Sequence, residues 1–280
     1  MKVEEYLGKY LDGYCNHKRD WNDADGSLLL GVRQMYEAVE DEKYISFIES
    51  YLSSFLTEEG TINNYPQDKK CADGISCGRI LYFMYDRTGE EKYRKAIEFI
   101  MDRLREYPKD GICTEALYKT MPFYMEYETK YEKKEKYSDI VGQFESAEKF
   151  LQNEKRDLKS ISWYLGALID TMDNMSFEIY EQYRALQDAF KRTLKEVLDT
   201  SLEEAESVMI GYCIIKACRM GILLKEKYAA IGMKIIENLA AKDFLNQKAL
   251  PDDAEGVGMF LMAYGQYLQL KKEMDEHCSH

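Results

Sequence analysis

Histidine is nearly missing from this 280-residue chain. There are three, and His277 and His280 lie at the C-terminal tip, so His17 alone is left to serve a folded site. A Ser-His-Asp triad, a Cys-His pair and a His-rich zinc site are therefore poorly supported. Proline is scarce as well, with four in all, and long helices can run uninterrupted. The seven cysteines (Cys15, Cys71, Cys77, Cys113, Cys213, Cys218 and Cys278) are odd in number and contain no C-x-x-C. That argues against a disulfide framework and for reduced, cytoplasmic thiols. Positive charge is short: 38 Lys and Arg face 51 Asp and Glu, a net of −13. A nucleic-acid partner, which needs a basic patch, is not expected. An acidic substrate finds no global attraction and needs a local cation. No apolar run approaches the ~20 residues of a transmembrane helix, so no membrane partner is expected. The N-terminal MKVEEYLGKYLDGYC is charged and amphipathic, with no apolar core of a secretory signal.

Tyrosine, in contrast, is abundant, with 23 copies. Six of the chain's Glu-x-Tyr triplets, ending at Tyr6, Tyr44, Tyr93, Tyr137, Tyr183 and Tyr228, are spaced by 38, 49, 44, 46 and 45 residues. A near-regular period of this length is the mark of a stacked or closed array of one supersecondary unit. Amphipathic helices follow the triplets. From Tyr44 the apolar positions are Phe47, Ile48, Tyr51, Leu52, Phe55 and Leu56, one stripe on one face. Between these helices lie segments that are apolar on most sides: 27–36, 74–85, 116–125, 163–172, 207–220 and 256–265. A helix apolar all round is buried all round. The chain thus alternates an outer amphipathic helix with an inner buried one, six times. An open superhelix would need polar end caps, and neither terminal unit has one. The pattern predicts an all-α fold closed into an (α/α)6 toroid, a single domain spanning 1–280 without a linker.

In such a toroid the inner helices start at one common end. Just before or at those starts stand Trp21 with Asp23 and Asp25, then Asp73, Glu115, Lys159 with Trp163, Glu204 with Glu206, and Asp252 with Asp253. Taken singly, each acid suits a helix cap or a partner of the helix dipole. Taken together, converging carboxylates beside the two tryptophans of the chain resemble a carbohydrate cleft, where rings stack on sugars and acids move protons.

These residues resemble a known family. W-N-D-A-D-G-S-L-L-L-G (21–31) is similar to the W-x-x-x-x-G-x-x-L-x-G opening of the unsaturated glucuronyl and rhamnogalacturonyl hydrolases, the six-hairpin glycosidases of families 88 and 105. A-D-G-I-S-C-G-R-I-L-Y-F-M-Y-D-R-T-G-E-E-K-Y (72–93) resembles their second inner helix, which carries an Asp in an L-D-x-I context. E-A-L-Y-K-T-M-P-F-Y-M-E-Y (115–127) looks like their D-G-L-Y-M-x-x-P-F segment, and D-D-A-E-G-V-G-M-F-L-M-A (252–263) like their D-x-x-G-x-G-x-F-L-x-A. The similarity runs from about Trp21 to about Leu268, with family 105 the nearer.

The resemblance implies a reaction on oligosaccharides that end in a 4,5-unsaturated uronic acid. A carboxylic acid protonates C4, water adds at C5, and the hemiketal collapses to release the sugar. It implies Glu115 as acid/base, Asp73 as its helper, Trp21, Asp23, Lys159, Trp163 and Asp252 as substrate contacts, and no metal or organic cofactor.

The chain also departs from the pattern. Glu115 stands where the family has Asp, and the extra methylene displaces the carboxyl by roughly an ångström, a shift that can cost about a hundredfold in rate. The loop before the third inner helix is trimmed to REYPKDGICTE (105–115). The loop before the fourth is cut to NEKRDLKSISWY (153–164), which retains a Trp at Trp163, places Lys159 at the Arg of R-x-N-G-W, and has no counterpart of the family's His. A Lys offers a uronate a point charge without the bidentate fork of Arg. Trp21 reads equally as a stacking platform or as a plug of the mouth, and Trp163 as a contact or as packing between helices. Two alternatives stay open beside the hydrolase: a catalytically inactive carbohydrate-binding or interaction protein on the same scaffold, and a sugar epimerase on an α/α toroid, which leans on histidines that this chain lacks. A homodimer through Tyr- and Met-bearing outer faces competes with burial of those residues in the toroid's own core.

Overall fold

The computed structural model describes residues 3–14, 20–66, 72–107, 113–153, 157–199, 207–240 and 253–277. Among them are twelve α-helices and no strand beyond an isolated bridge between Leu56 and Ile62. The outer helices are α1 (Val3–Tyr14), α3 (Lys43–Ser53), α5 (Glu91–Glu106), α7 (Tyr137–Asn153), α9 (Tyr180–Leu198) and α11 (Lys225–Leu239). The inner helices are α2 (Asp23–Val39), α4 (Arg79–Thr88), α6 (Thr114–Lys130), α8 (Leu158–Asp173), α10 (Ser207–Arg219) and α12 (Ala254–His277). A short 3-10 turn, Ser76–Gly78, leads into α4. This is an (α/α)6 toroid, as the periodicity predicts.

The triplets sit where outer helices begin. Their acids occupy the first turns of α1, α5, α9 and α11, where a negative charge complements the helix dipole. Their tyrosines turn inward. Tyr6, Tyr44, Tyr93, Tyr137 and Tyr183 are buried and Tyr228 is half-buried. Each outer helix then buries one stripe, for example Tyr93, Ala96, Ile97, Ile100, Met101 and Leu104 of α5. The inner helices have no wet face over most of their length, and residues 162–172 of α8 are buried without a break.

The ring closes through α2 and α12. A Cβ on Gly31 would fall 2.4 Å from the Gly258 carbonyl oxygen, and one on Gly258 would fall 2.3 Å from the Ser27 carbonyl carbon. Only glycine permits that approach of two helix backbones. Tyr264 adds a hydrogen bond to Glu4 at 3.1 Å, tying the last hairpin to the first. No described helix is long and apolar enough to cross a membrane. The described cysteines, Cys77, Cys113, Cys213 and Cys218, are unpaired.

Candidate active site

The starts of five inner helices meet in one electrostatic neighbourhood, and a lysine stands at its centre. Lys119, on the second turn of α6, places Nζ 2.8 Å from Glu115 Oε1, 3.0 Å from Asp23 Oδ2 and 3.4 Å from Asp73 Oδ1. These three carboxylates come from the start of α6, the start of α2 and the turn before α4. Glu255 at the start of α12 feels the charges of Glu115, Lys119 and Lys159, the last from the first turn of α8.

Exposure separates the members. The Asp73 and Glu115 side chains are 53% and 43% open to solvent, whereas Lys119 retains 15% and Asp23 11%. The cation therefore lies beneath, with Asp73 and Glu115 on the side of the water. Asp23 is a strut as much as a charge. Its Oδ1 accepts the Gly74 N–H at 3.0 Å and the Ser76 hydroxyl at 2.7 Å, pinning the turn that carries Asp73. Burial pushes the Asp23 carboxyl above the ordinary aspartate value; Lys119 and Ser76 pull against that, and the Asp73 carboxyl adds to it. For Lys119 burial alone favours the neutral amine, but the Asp23 and Glu115 carboxylates outweigh it and hold the ammonium charged. Burial also raises the Glu255 carboxyl, helped by the negative charge of Glu115.

The other anticipated residues sit as follows. Trp21 is buried, donates Nε1–H to the Gly74 carbonyl at 2.8 Å and packs edge-on against Phe55. Both its ring and its indole N–H are thus engaged inside the protein. Trp163 is 8% exposed, with its ring 4.9 Å from that of Tyr118, so it packs between helices. Lys159 is exposed. Asp252, Glu204 and Glu206 lie outside the described residues. Asp25 is buried and accepts hydrogen bonds from Tyr14 and from Tyr51, the latter at 2.9 Å. Asp253, one of the anticipated acids, holds the Gly256 N–H of α12 at 3.0 Å as a cap, while α2 is capped by Asn22 at 2.9 Å and α8 by Asp157 at 2.7 Å. Among the described residues no group of His, Cys, Asp and Glu is arranged to hold a metal ion.

Below this layer runs a second network that the motifs did not indicate. Asp170 of α8 is fully buried and takes Arg79 at 2.7 Å, Lys216 at 2.9 Å and the Tyr212 hydroxyl at 2.6 Å. Burial alone would raise the Asp170 carboxyl, but Lys216 and Arg79 hold it well below the usual carboxylate range. The guanidinium of Arg79 lies 5.5 Å over the Tyr118 ring, which joins this network to Trp163.

The profile of Glycosyl Hydrolase Family 88 matches residues 3–182, a stretch that holds Asp23, Asp73, Glu115, Lys119 and Trp163. Among solved structures, a family 105 glycoside hydrolase of C. acetobutylicum superposes with a TM-score of 0.80 at 20% identity, over 96% of this chain and 100% of that one. A family 88 glycosyl hydrolase from Bacteroides vulgatus gives 0.69 at 14% identity, over 96% and 100%. A polysaccharide lyase gives 0.72 at 14% identity, over 96% of each. At such identities the structural likeness speaks for the fold.

Proposed function

Because the chain belongs to Glycosyl Hydrolase Family 88, we propose that it hydrates the 4,5 double bond of unsaturated uronyl oligosaccharides at the mouth of the toroid. The observation that carries the reading is the meeting of Asp73 and Glu115, from separate inner-helix starts, on one ammonium, with both carboxyls facing water. In this reading Glu115 gives a proton to C4 of the terminal uronyl ring, leaving an oxocarbenium-like centre at C5. The resulting carboxylate takes a proton from a water whose oxygen bonds to C5. The hemiketal so formed opens, and the rest of the oligosaccharide leaves with its hydroxyl. Asp73 orients that water or the ring. Written this way the reaction calls for neither a metal nor an organic cofactor. The unpaired cysteines suit the cytoplasm as its place.

One observation favours a second reading, binding without turnover. The Glu115 oxygen nearest the cluster is already engaged by Lys119 at 2.8 Å, which commits that oxygen to the protein before any sugar arrives. The discriminating experiment follows the absorbance of the conjugated double bond on a panel of unsaturated uronyl disaccharides, with Glu115→Gln and Asp73→Asn beside the parent. Loss of absorbance in the parent and its abolition in Glu115→Gln support the hydratase. A folded parent that binds these sugars by calorimetry and leaves the absorbance unchanged supports the binding protein. Activity that survives Glu115→Gln moves the acid to another residue.

A further inference from the structure

We propose that Lys119 is a positioning residue coupled to Glu115, holding the longer carboxyl arm of Glu115 where a shorter Asp would stand by itself. The inference rests on the hydratase reading for its kinetic test and on geometry alone for its second test.

An ammonium has three N–H donors, and the three nearest acceptors of Lys119 are carboxylates on three different segments. Its donors are spent within the protein. Lys119 is therefore a brace for the carboxylates, not the receiver of a substrate's carboxylate. The shortest contact runs to Glu115 at 2.8 Å, one helical turn earlier on the same face of α6. Glu followed by Lys at i+4 is the favourable order for such a pair. The side chain is mostly buried while Glu115 is half open, so the brace acts from the protein side and leaves the outer face of the carboxyl free. The contact to Asp73 at 3.4 Å shares the same nitrogen. The facing oxygens of the two candidate catalytic residues thus lie no farther apart than these two distances laid end to end.

E-A-L-Y-K (115–119) resembles the family's D-G-L-Y-M segment and departs from it at both ends of this pair. A Met at 119 offers no donor to any carboxylate. A Glu at 115 without the brace has one more free torsion than an Asp, and Asp23, Asp73 and Glu115 would converge with no cation among them. Each departure answers the other: the longer acid needs the brace, and the brace needs an acid that reaches it.

The test is a double-substitution cycle on the hydration reaction, with Lys119→Met, Glu115→Asp and the pair Glu115→Asp/Lys119→Met. Lys119→Met lowers kcat by roughly 10- to 100-fold, the scale of an ångström misplacement, with a smaller change in KM. Glu115→Asp also lowers kcat, since the shortened carboxyl loses the ammonium. The paired variant recovers to within about tenfold of the parent, well above the product of the two single losses. Losses that simply multiply overturn the coupling. The second readout needs no turnover. The Asp23 carboxyl, whose neighbours are Lys119, Ser76 and Asp73, is followed by carbon-13 NMR against pH, and its midpoint rises in Lys119→Met. If the parent is inactive on every unsaturated uronide, the hydratase reading fails. The NMR titration then decides for Lys119: a raised midpoint supports the brace, and an unchanged one overturns it.

Discussion

Trp21 donates its indole N–H to the carbonyl of Gly74 at 2.8 Å, across 53 residues of chain and out of reach of solvent. Gly74 directly follows Asp73, so this bond and the Asp23 bond to the Gly74 N–H hold both polar groups of one residue. That glycine has φ +82, a left-handed conformation, and a Cβ there would meet the Trp21 ring at 2.8 Å. Tryptophan, glycine and aspartate thus build one rigid turn that aims Asp73.

Replacing Trp21 by Phe keeps most of the apolar bulk and leaves the Gly74 carbonyl buried without a donor. We predict a loss of about 1–3 kcal/mol in chemical unfolding. In a Trp163→Phe background, Trp21 is the sole tryptophan. Its emission should be that of a buried indole and should stay unchanged when a uronyl oligosaccharide is added. A spectral shift on addition would show that the ring meets the sugar and would remove the plug.

Asp170 carries two cations, Arg79 at 2.7 Å and Lys216 at 2.9 Å, inside the ring of inner helices. Asp170→Asn removes the shared carboxylate and leaves two buried positive groups under-compensated. We predict a cost of about 3–5 kcal/mol. Asp173 also binds Lys216, at 2.8 Å, but its side chain is half exposed. Asp173→Asn should cost about 1 kcal/mol or less. The sign with pH follows from the depressed carboxyl. The Asp170 contribution is present above the unfolded-state aspartate pKa near about 4 and is lost as pH falls toward its folded value. In urea melts the gap between parent and Asp170→Asn should therefore narrow only in part from pH 7 to pH 3, since the folded carboxyl is still ionised at pH 3.

The repeat, the two classes of helix and the closed ring were legible because each rests on hydrophobic pattern alone. A tyrosine in the first turn of each outer helix, buried in five of them and half-buried in α11, and a largely apolar inner helix leave a periodic trace in one dimension. The ionic contacts leave none. Lys119 reads in sequence as a solvated lysine on a helix, since nothing in E-A-L-Y-K-T-M says that Asp23 and Asp73 fold onto it. Asp170 and Lys216 did carry a signal. Each is a charge inside a mostly apolar segment, and a charge in a buried helix needs a partner. The identity of that partner, 46 residues away, comes only with the fold. The roles of Trp21 and Trp163 were also undecidable in sequence, because a tryptophan at a helix start is the same letter whether it faces a sugar or a neighbouring helix.

Glu126, on the last part of α6, has a side chain only 12% exposed and its nearest cation, Lys130, 3.7 Å away. Burial pushes its carboxyl up to about 7, against the pull of Arg33, Lys130 and Arg79. A carboxyl raised above its unfolded value holds its proton longer in the folded state. Stability from this residue is therefore lost as pH rises from about 4.5 to about 7 and is level above that. Glu126→Gln removes the titration. We predict that the variant gains on the parent as pH rises from 5 to 8, by at most about 3 kcal/mol. Thermal melts across that range measure it, and parallel curves for the two proteins would show that Glu126 does not titrate there.

The ring's seam makes the last prediction, through two glycines in helices. Gly31 of α2 lies against α12, where an added Cβ would fall 2.4 Å from the Gly258 carbonyl oxygen. That oxygen is backbone and cannot rotate aside, so Gly31→Ala has to part the first and last inner helices. Overpacking of this kind costs about 1–3 kcal/mol, or several degrees in the midpoint of melting for a chain of this size. Gly8 of α1 is the control, because a Cβ there meets nothing within 4 Å. Gly8→Ala gains helix propensity at no steric cost and should stabilise by about 0.5–1 kcal/mol. Opposite shifts from the same chemical change would locate the strain at the seam. A neutral Gly31→Ala would mean that the ends of the toroid are joined more loosely than the Gly31–Gly258 approach requires.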